Sequence, residues 1–297
     1  MTNQARRNLF LRCFVAAIFF YLFSLNAACA SDKVFMWKVE SGQATAYILG
    51  TVHMMKKDMY PLDSRIEEAF KRSGAYAIEF NINDAGLLRN DIVSDMVYSG
   101  DDNIANHISR ETLDLARRKF DGAGLPFDIM SKFKPWFLAM SIELLEYQKL
   151  GFDPQYGIDK YFLQKADGKK IIELESFDSQ LGLFRAMSDS DQEVFLAYSL
   201  KEVDDAKKNA DILLRAWSHG DVRAIEHLMF DRIRDDPRLS RLYESLFFER
   251  NRNMAEKIAG MLSGRGTYFV AVGAGHLAGR KSIIDILSRK GFSVRQQ

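Results

Sequence analysis

The chain has 297 residues, 41 Lys and Arg against 40 Asp and Glu, and 47% hydrophobic residues. The near-neutral balance excludes a basic nucleic-acid-binding surface. Its 2 cysteines, Cys13 and Cys29, lie close to the N-terminus, so the rest of the chain has no thiolate for catalysis, metal ligation or a disulfide.

Residues 1–30 read as a signal peptide. Arg6, Arg7 and Arg12 give a basic start, Cys13 to Leu25 is apolar almost throughout, and Ala28-Cys29-Ala30 offers a small-residue cleavage site before Ser31. Sec export to a periplasm or the exterior is the expected route. The rival is a retained membrane anchor, since an apolar run of about 18 residues can just span a bilayer. Arg6-Arg7 loosely resembles a twin-arginine signal, but the strongly apolar core argues for Sec. Asn26 stands where a lipobox needs an aliphatic residue, which argues against a lipid anchor on Cys29. Residues 31–297 suffice for one sizeable α/β domain.

Val34 to Glu40 and Thr45 to Leu49 are β-rich runs separated by Ser41-Gly42-Gln43, a hairpin signal. Tyr47-Ile48-Leu49 runs into Gly50-Thr51-Val52-His53. A loop follows, and Pro61 with Asp63 or Ser64 starts a helix whose apolar face is Ile66, Ala69 and Phe70. Gly74 ends it, and Ala75 to Phe80 is the next strand, with Glu79 at its C-terminal end. This strand–helix–strand unit predicts a parallel pairing with a right-handed crossover. Residues from about 85 to 265 form a mostly helical insertion, with apolar periodicity over Leu113 to Phe120, Trp136 to Leu150, Val194 to Lys208 and Leu242 to Leu262. A short strand candidate, Lys170 to Leu174, interrupts it. The strand Tyr268 to Val272 then leads into Gly273-Ala274-Gly275-His276, followed by a helix from about Lys281 to Lys290 and a strand Phe292 to Arg295. The expected fold is α/β: a mixed, mainly parallel sheet built from both chain ends, with the helical insertion packed over it.

The pattern that carries chemistry is the twice-repeated apolar strand, Gly-x-x-His. In open α/β sheets ligands bind beyond the carboxyl ends of the strands. If the two strands are parallel in one sheet, His53 and His276 face one crevice, with Glu79 level with them. Two imidazoles and a carboxylate suit a divalent metal, while Gly50, Gly273 and Gly275 let the backbone turn or approach closely. The alternative is that each ring merely packs its own strand end. Arg250, beside Asn251 in a charged break of an apolar run, is a candidate to stabilise an oxyanion or clamp a carboxylate; a salt bridge within its helix is the other reading. Glu173 and Glu175 are reserve carboxylates. His107, His219 and His227 read as surface or capping residues. No His-Glu-x-x-His helix, nucleophile elbow or dinucleotide fingerprint is present, and no cofactor-binding residues besides the metal ligands are expected.

The sequence resembles the TraB/GumN family, which includes the Tiki proteins that cleave Wnt. The resemblance rests on Leu49-Gly50-Thr51-Val52-His53, Asp58-Met59-Tyr60-Pro61-Leu62, Ile78-Glu79, Lys134-Pro135-Trp136, Gly157-Ile158-Asp159, Leu174-Glu175-Ser176 with Gln180, Glu249-Arg250-Asn251, and Val272-Gly273-Ala274-Gly275-His276-Leu277 with Gly279. It departs at Ser176, where many relatives carry threonine. The resemblance makes residues 31–297 a single catalytic domain. It implies a metallopeptidase using Mn, Co or Zn, with His53 and His276 as metal ligands, Glu79 either completing the coordination or acting as general base on the bound water, and Arg250 and Asn251 as further catalytic residues in another motif. A peptide or small protein would be the substrate, and membrane contact would follow only from a retained N-terminal segment. The family is also similar in fold to erythromycin esterases and a haem-binding lipoprotein. The alternative function is therefore a non-catalytic protein that sequesters haem or a peptide on the same scaffold.

Overall fold

The computed structural model describes residues 33–81, 90–235 and 237–297. The expected signal peptide lies outside these. Among the described residues no helix is long and apolar enough to cross a membrane.

Six strands form one mixed sheet: β1 (Met36–Ser41), β2 (Ala44–Thr51), β3 (Ala75–Ile78), β4 (Lys170–Glu173), β5 (Gly266–Gly273) and β6 (Ser293–Gln296), in the order β4-β3-β5-β2-β1-β6. β1 and β2 form the expected hairpin, with Ser41 opposite Ala44 and only Gly42-Gln43 between them. β2, β5, β3 and β4 are mutually parallel, and β1 and β6 add an antiparallel edge. The sheet thus draws on both chain ends.

One expectation is corrected. β2 and β3 are parallel but do not pair, because β5 inserts between them. The reason is apolar content: Phe269, Val270, Ala271 and Val272 are all 0% exposed, and such a continuous run belongs in the middle of a sheet covered on both faces. The insertion places the C-terminal ends of β2, β5 and β3 side by side, with Thr51 opposite Gly273 and Ile78 opposite Ala271.

The helix Ser64–Arg72 starts where Asp63 caps it, the carboxylate accepting from the Arg65 amide. It buries Ile66, Ala69 and Phe70, and Phe70 joins Tyr76, Phe162 and Phe269 in a cluster of edge-on and tilted rings with centroids 4.7 to 6.5 Å apart. Phe162 comes from the short helix Ile158–Gln164, so this cluster fixes that helix against the strands. The helix Glu249–Leu262 packs on β2 and buries Met254, Ala255, Ile258 and Leu262 in the same core.

The helices between β4 and β5, together with those before β4, build smaller cores of their own. The largest holds Phe120, Phe127, Leu138, Ile142, Leu196 and Leu200, contributed by Arg110–Gly122, Pro135–Lys149 and Asp189–Glu202 among others. Two expected helices are broken. The run Val194 to Lys208 divides at Val203–Asp205, where Asp204 and Asp205 favour a helix end over an interior. The run Leu242 to Leu262 contains a π-helical stretch, Glu244–Phe248, before Glu249–Leu262 begins.

Candidate functional site

The three parallel strands deliver their ends to one place. A methyl group placed on Gly273 would stand 3.4 Å from Glu79 Oε1, 3.5 Å from His276 Cδ2 and 3.6 Å from His53 Nε2. Three side chains that span 224 positions of sequence thus surround one small space, which the glycine leaves open. His276 Nε2 lies 3.9 Å from Glu79 Oε1.

Each ring is held through its Nδ1. His53 Nδ1 is 2.9 Å from Asp159 Oδ2, and the Thr51 hydroxyl donates to Asp159 Oδ1 at 2.8 Å. Asp159 is aimed by the start of its helix: the Ile158 amide donates to the Val52 carbonyl, and the Asp159 carbonyl accepts from the Tyr76 hydroxyl. Gly157 makes the approach possible, since a Cβ there would meet the His53 carbonyl oxygen at 2.3 Å. His276 Nδ1 is 2.6 Å from Asn251 Oδ1, and the Asn251 amide donates to the Lys281 carbonyl. Each Nδ1 faces an acceptor, so the neutral form of either ring carries its proton there and has its lone pair on Nε2.

Glu79 is buried and fully engaged. Oε1 accepts the Gly273 amide at 2.7 Å; Oε2 accepts Arg250 Nη2 at 2.8 Å and Gln180 Nε2 at 3.0 Å. Arg250 also grips Glu175 through Nε and Nη2 and donates Nη1 to the Leu246 carbonyl. Gln180 bridges Glu79 and Glu175. Glu173 lies at the rim, accepting from the Asn81 amide.

The charges follow from this packing. Burial, the largest influence on Glu79, opposes ionisation, but His276, Arg250, His53 and the Gly273 amide outweigh it and draw its pKa down to about 2. Burial is also the largest influence on His276; Arg250 and His53 reinforce it against the charge of Glu79, and the pKa falls to about 4, leaving a neutral ring. For His53, crowding at the strand end is the largest influence and disfavours the cation. Asp159, by charge and hydrogen bond, and then Glu79 override it, pushing the pKa up to about 9. The ring keeps 68% of its surface open, so solvent screens these charges and the shift is no measure of stability.

His53, Glu79, His276, Arg250 and Asn251 therefore meet at one point. The other glycines act by packing. A Cβ on Gly50 would meet the Phe35 ring at 2.4 Å, and one on Gly275 would meet Phe247 at 3.0 Å and Met229 at 3.1 Å. The remaining histidines lie elsewhere: His107 stacks on Tyr98 between Asp102 and Asp189, His219 closes its helix on the Arg215 carbonyl, and His227 faces Asp231. Asp159, Gln180 and Gly157 were sequence landmarks without a role, and the structure gives each of them one.

Residues 35–296 match the TraB/PrgY/gumN family. The chain belongs to that family. Among relatives, YbaP of Escherichia coli (strain K12), a protein described as uncharacterized, is 26% identical over 261 residues, covering 83% of this chain and 89% of its own. An uncharacterized protein of Treponema pallidum (strain Nichols) is 23% identical over 286 residues, covering 90% and 84%. Metalloprotease TIKI2 of Danio rerio is 21% identical over 314 residues, covering 88% of this chain and 60% of its own. No solved structure matches.

Whether these residues suit a divalent ion can be tested on their geometry. Among the described residues, no group of three or more His, Cys, Asp or Glu side chains is placed to hold a metal ion. The chemistry of the donor set is nonetheless suited to one: two imidazoles and a carboxylate oxygen border the space that Gly273 leaves vacant. Each imidazole is backed through Nδ1 by an oxygen, the arrangement that orients metal-binding histidines.

Proposed function

We propose that this family member is a divalent-metal-dependent hydrolase acting on peptides, with His53, His276 and Glu79 holding Mn, Co or Zn. The convergence of His53 Nε2, the His276 ring and Glu79 Oε1 on the space at Gly273 supports the reading. The metalloprotease name of a relative adds to it. A bound ion would act as a Lewis acid on a peptide carbonyl and lower the pKa of water.

The chain's own residues divide the remaining work. Asp159 and Asn251 orient the two rings and set their tautomers. Glu79 acts as a ligand rather than a general base, because a pKa drawn down to about 2 leaves it too weak to take a proton near neutrality. Arg250 positions Glu79: its Nε, Nη1 and Nη2 are already committed to Glu175, Leu246 and Glu79, so it is not the oxyanion donor that its sequence context suggested. The same two carboxylates hold it charged in spite of its burial.

Turnover of a mixed fluorogenic peptide library tests this directly. The expected result is hydrolysis that a chelator abolishes and added Mn, Co or Zn restores. A Soret band on adding haemin, with no tightly bound metal and no turnover under any ion, would support the sequestering alternative instead.

A further inference from the structure

Lys281 is, among the described residues, the only non-glycine residue in the left-handed region, at φ 64°. A Cβ makes that backbone unfavourable, so it persists only where the surroundings enforce it. The lysine side chain is not the cause. It is 60% exposed, its Nζ stands 3.3 Å from Glu244 Oε2 and 4.7 Å from the centre of the Phe248 ring, and contacts so open to solvent are worth little. The main chain is engaged instead. The Lys281 amide donates to Asp285 Oδ2 at 3.1 Å, and its carbonyl accepts from Asn251 Nδ2 at 2.9 Å. The residue also joins two fixed points: the loop after His276, with Gly279 at φ 77°, and Ser282, which caps the helix Ile283–Arg289.

The bond to the Lys281 carbonyl decides the state of a buried chain of groups. A carbonyl can only accept, so Asn251 offers it the Nδ2 end and turns Oδ1 the other way. That Oδ1 lies 2.6 Å from His276 Nδ1. An amide oxygen can only accept in its turn, so Nδ1 donates and the lone pair falls on Nε2, the nitrogen 3.9 Å from Glu79 Oε1. Asn251 is 1% and His276 4% exposed, so bulk water is a poor substitute for the carbonyl. Without it the reverse arrangement satisfies the same pair of side chains. Asn251 then presents Nδ2 to His276 Nδ1, and the ring proton moves to Nε2 and points at Glu79. A ring in that state has no lone pair to give an ion there.

We propose that Lys281 is a positioning residue for the strand-end site, acting through the direction of its carbonyl rather than through its side chain. Its use in holding an ion rests on the function proposed above; the tautomer of His276 does not. The test compares Lys281→Val, whose branched side chain shuns the left-handed region, with Lys281→Gly, which adopts it freely. NMR of the ring nitrogens in isotope-labelled, metal-free protein near neutral pH reads the tautomer, and calorimetric titration with Mn, Co and Zn reads affinity. The parent should carry the His276 proton on Nδ1. Lys281→Val should move it toward Nε2 and weaken metal binding by at least about 10-fold, and Lys281→Gly, although it lacks the lysine side chain, should restore both. Should Lys281→Val fail to fold, Lys281→Ala takes its place. It loses the same contacts as the glycine variant but keeps a Cβ, and should bind metal about 5-fold more weakly than Lys281→Gly. A folded Lys281→Val that matches the parent, a Lys281→Gly that loses tautomer and affinity, or alanine and glycine variants that behave alike would overturn the assignment. Tautomers that change as expected in a protein that binds no ion in any form would sink the metal reading and leave the role of Lys281 standing.

Discussion

The strand ends and the helical layer hold their carboxylates in different settings. At the strand ends Glu79 and Glu175 share Arg250, Gln180 and a backbone amide, and each imidazole is tied to an oxygen. In the helical layer the Ser199 hydroxyl donates to Glu143, and Asn209 donates to Glu202 Oε2. The first arrangement is complete in itself and holds a fixed geometry. Precise positioning thus sits on the sheet, whose register is set by backbone hydrogen bonds.

Substitutions can break this comparison. The largest expected effect is Arg250→Ala, which leaves two buried carboxylates without their cation and should cost about 3–5 kcal/mol, read as a fall in the denaturant midpoint together with loss of metal binding. Phe120→Ala in the helical core should cost a similar ~3–5 kcal/mol while the folded protein keeps its metal affinity. If Phe120→Ala also abolishes metal binding, the two regions are not separable. Next, Asp159→Asn removes the charge behind His53 and should weaken metal affinity by about 10–100-fold by calorimetric titration, with little change in melting temperature. Gly157→Ala should also weaken metal affinity, but with a clear fall in melting temperature, because its Cβ would meet the His53 carbonyl oxygen at 2.3 Å.

The smallest effect concerns His107 in the helical layer. Hydrogen bonding to Asp189 outweighs partial burial, and Asp102 adds to it, so its pKa is raised above 6.5. A raised pKa means its contribution is full below pH 6.5 and fades as pH rises through the folded value. Melting temperature followed from pH 6 upward should therefore fall less in His107→Asn than in the parent. Identical slopes would show that the cluster contributes nothing.

Much of the sheet was legible in the sequence because its strands are bounded by glycines and turn residues and run apolar for several positions. The order was not. Nothing local tells β5 to lie between β2 and β3; that follows from which run is apolar enough to be covered twice. Likewise His53, Glu79 and His276 could be named from strand ends alone, because a strand followed by Gly-x-x-His presents its histidine whatever the partner strand is. Asp159 and Gln180 could not, since Asp159 depends on how Phe162 and the rings around it seat the helix Ile158–Gln164, and Gln180 on a separate helix, Phe177–Arg185, about 100 positions from Glu79. Arg250 was visible as a buried charge, but its task depended on Glu175 and Glu79 both arriving within 3.0 Å.

The central claim is most directly tested by metal stoichiometry in the purified parent, His53→Ala, His276→Ala and the double variant, each first shown to be folded by circular dichroism. One tightly bound Mn, Co or Zn per parent chain is expected, with a loss of at least about 100-fold in affinity in each single variant. A folded double variant that keeps its ion at parental affinity would contradict the account.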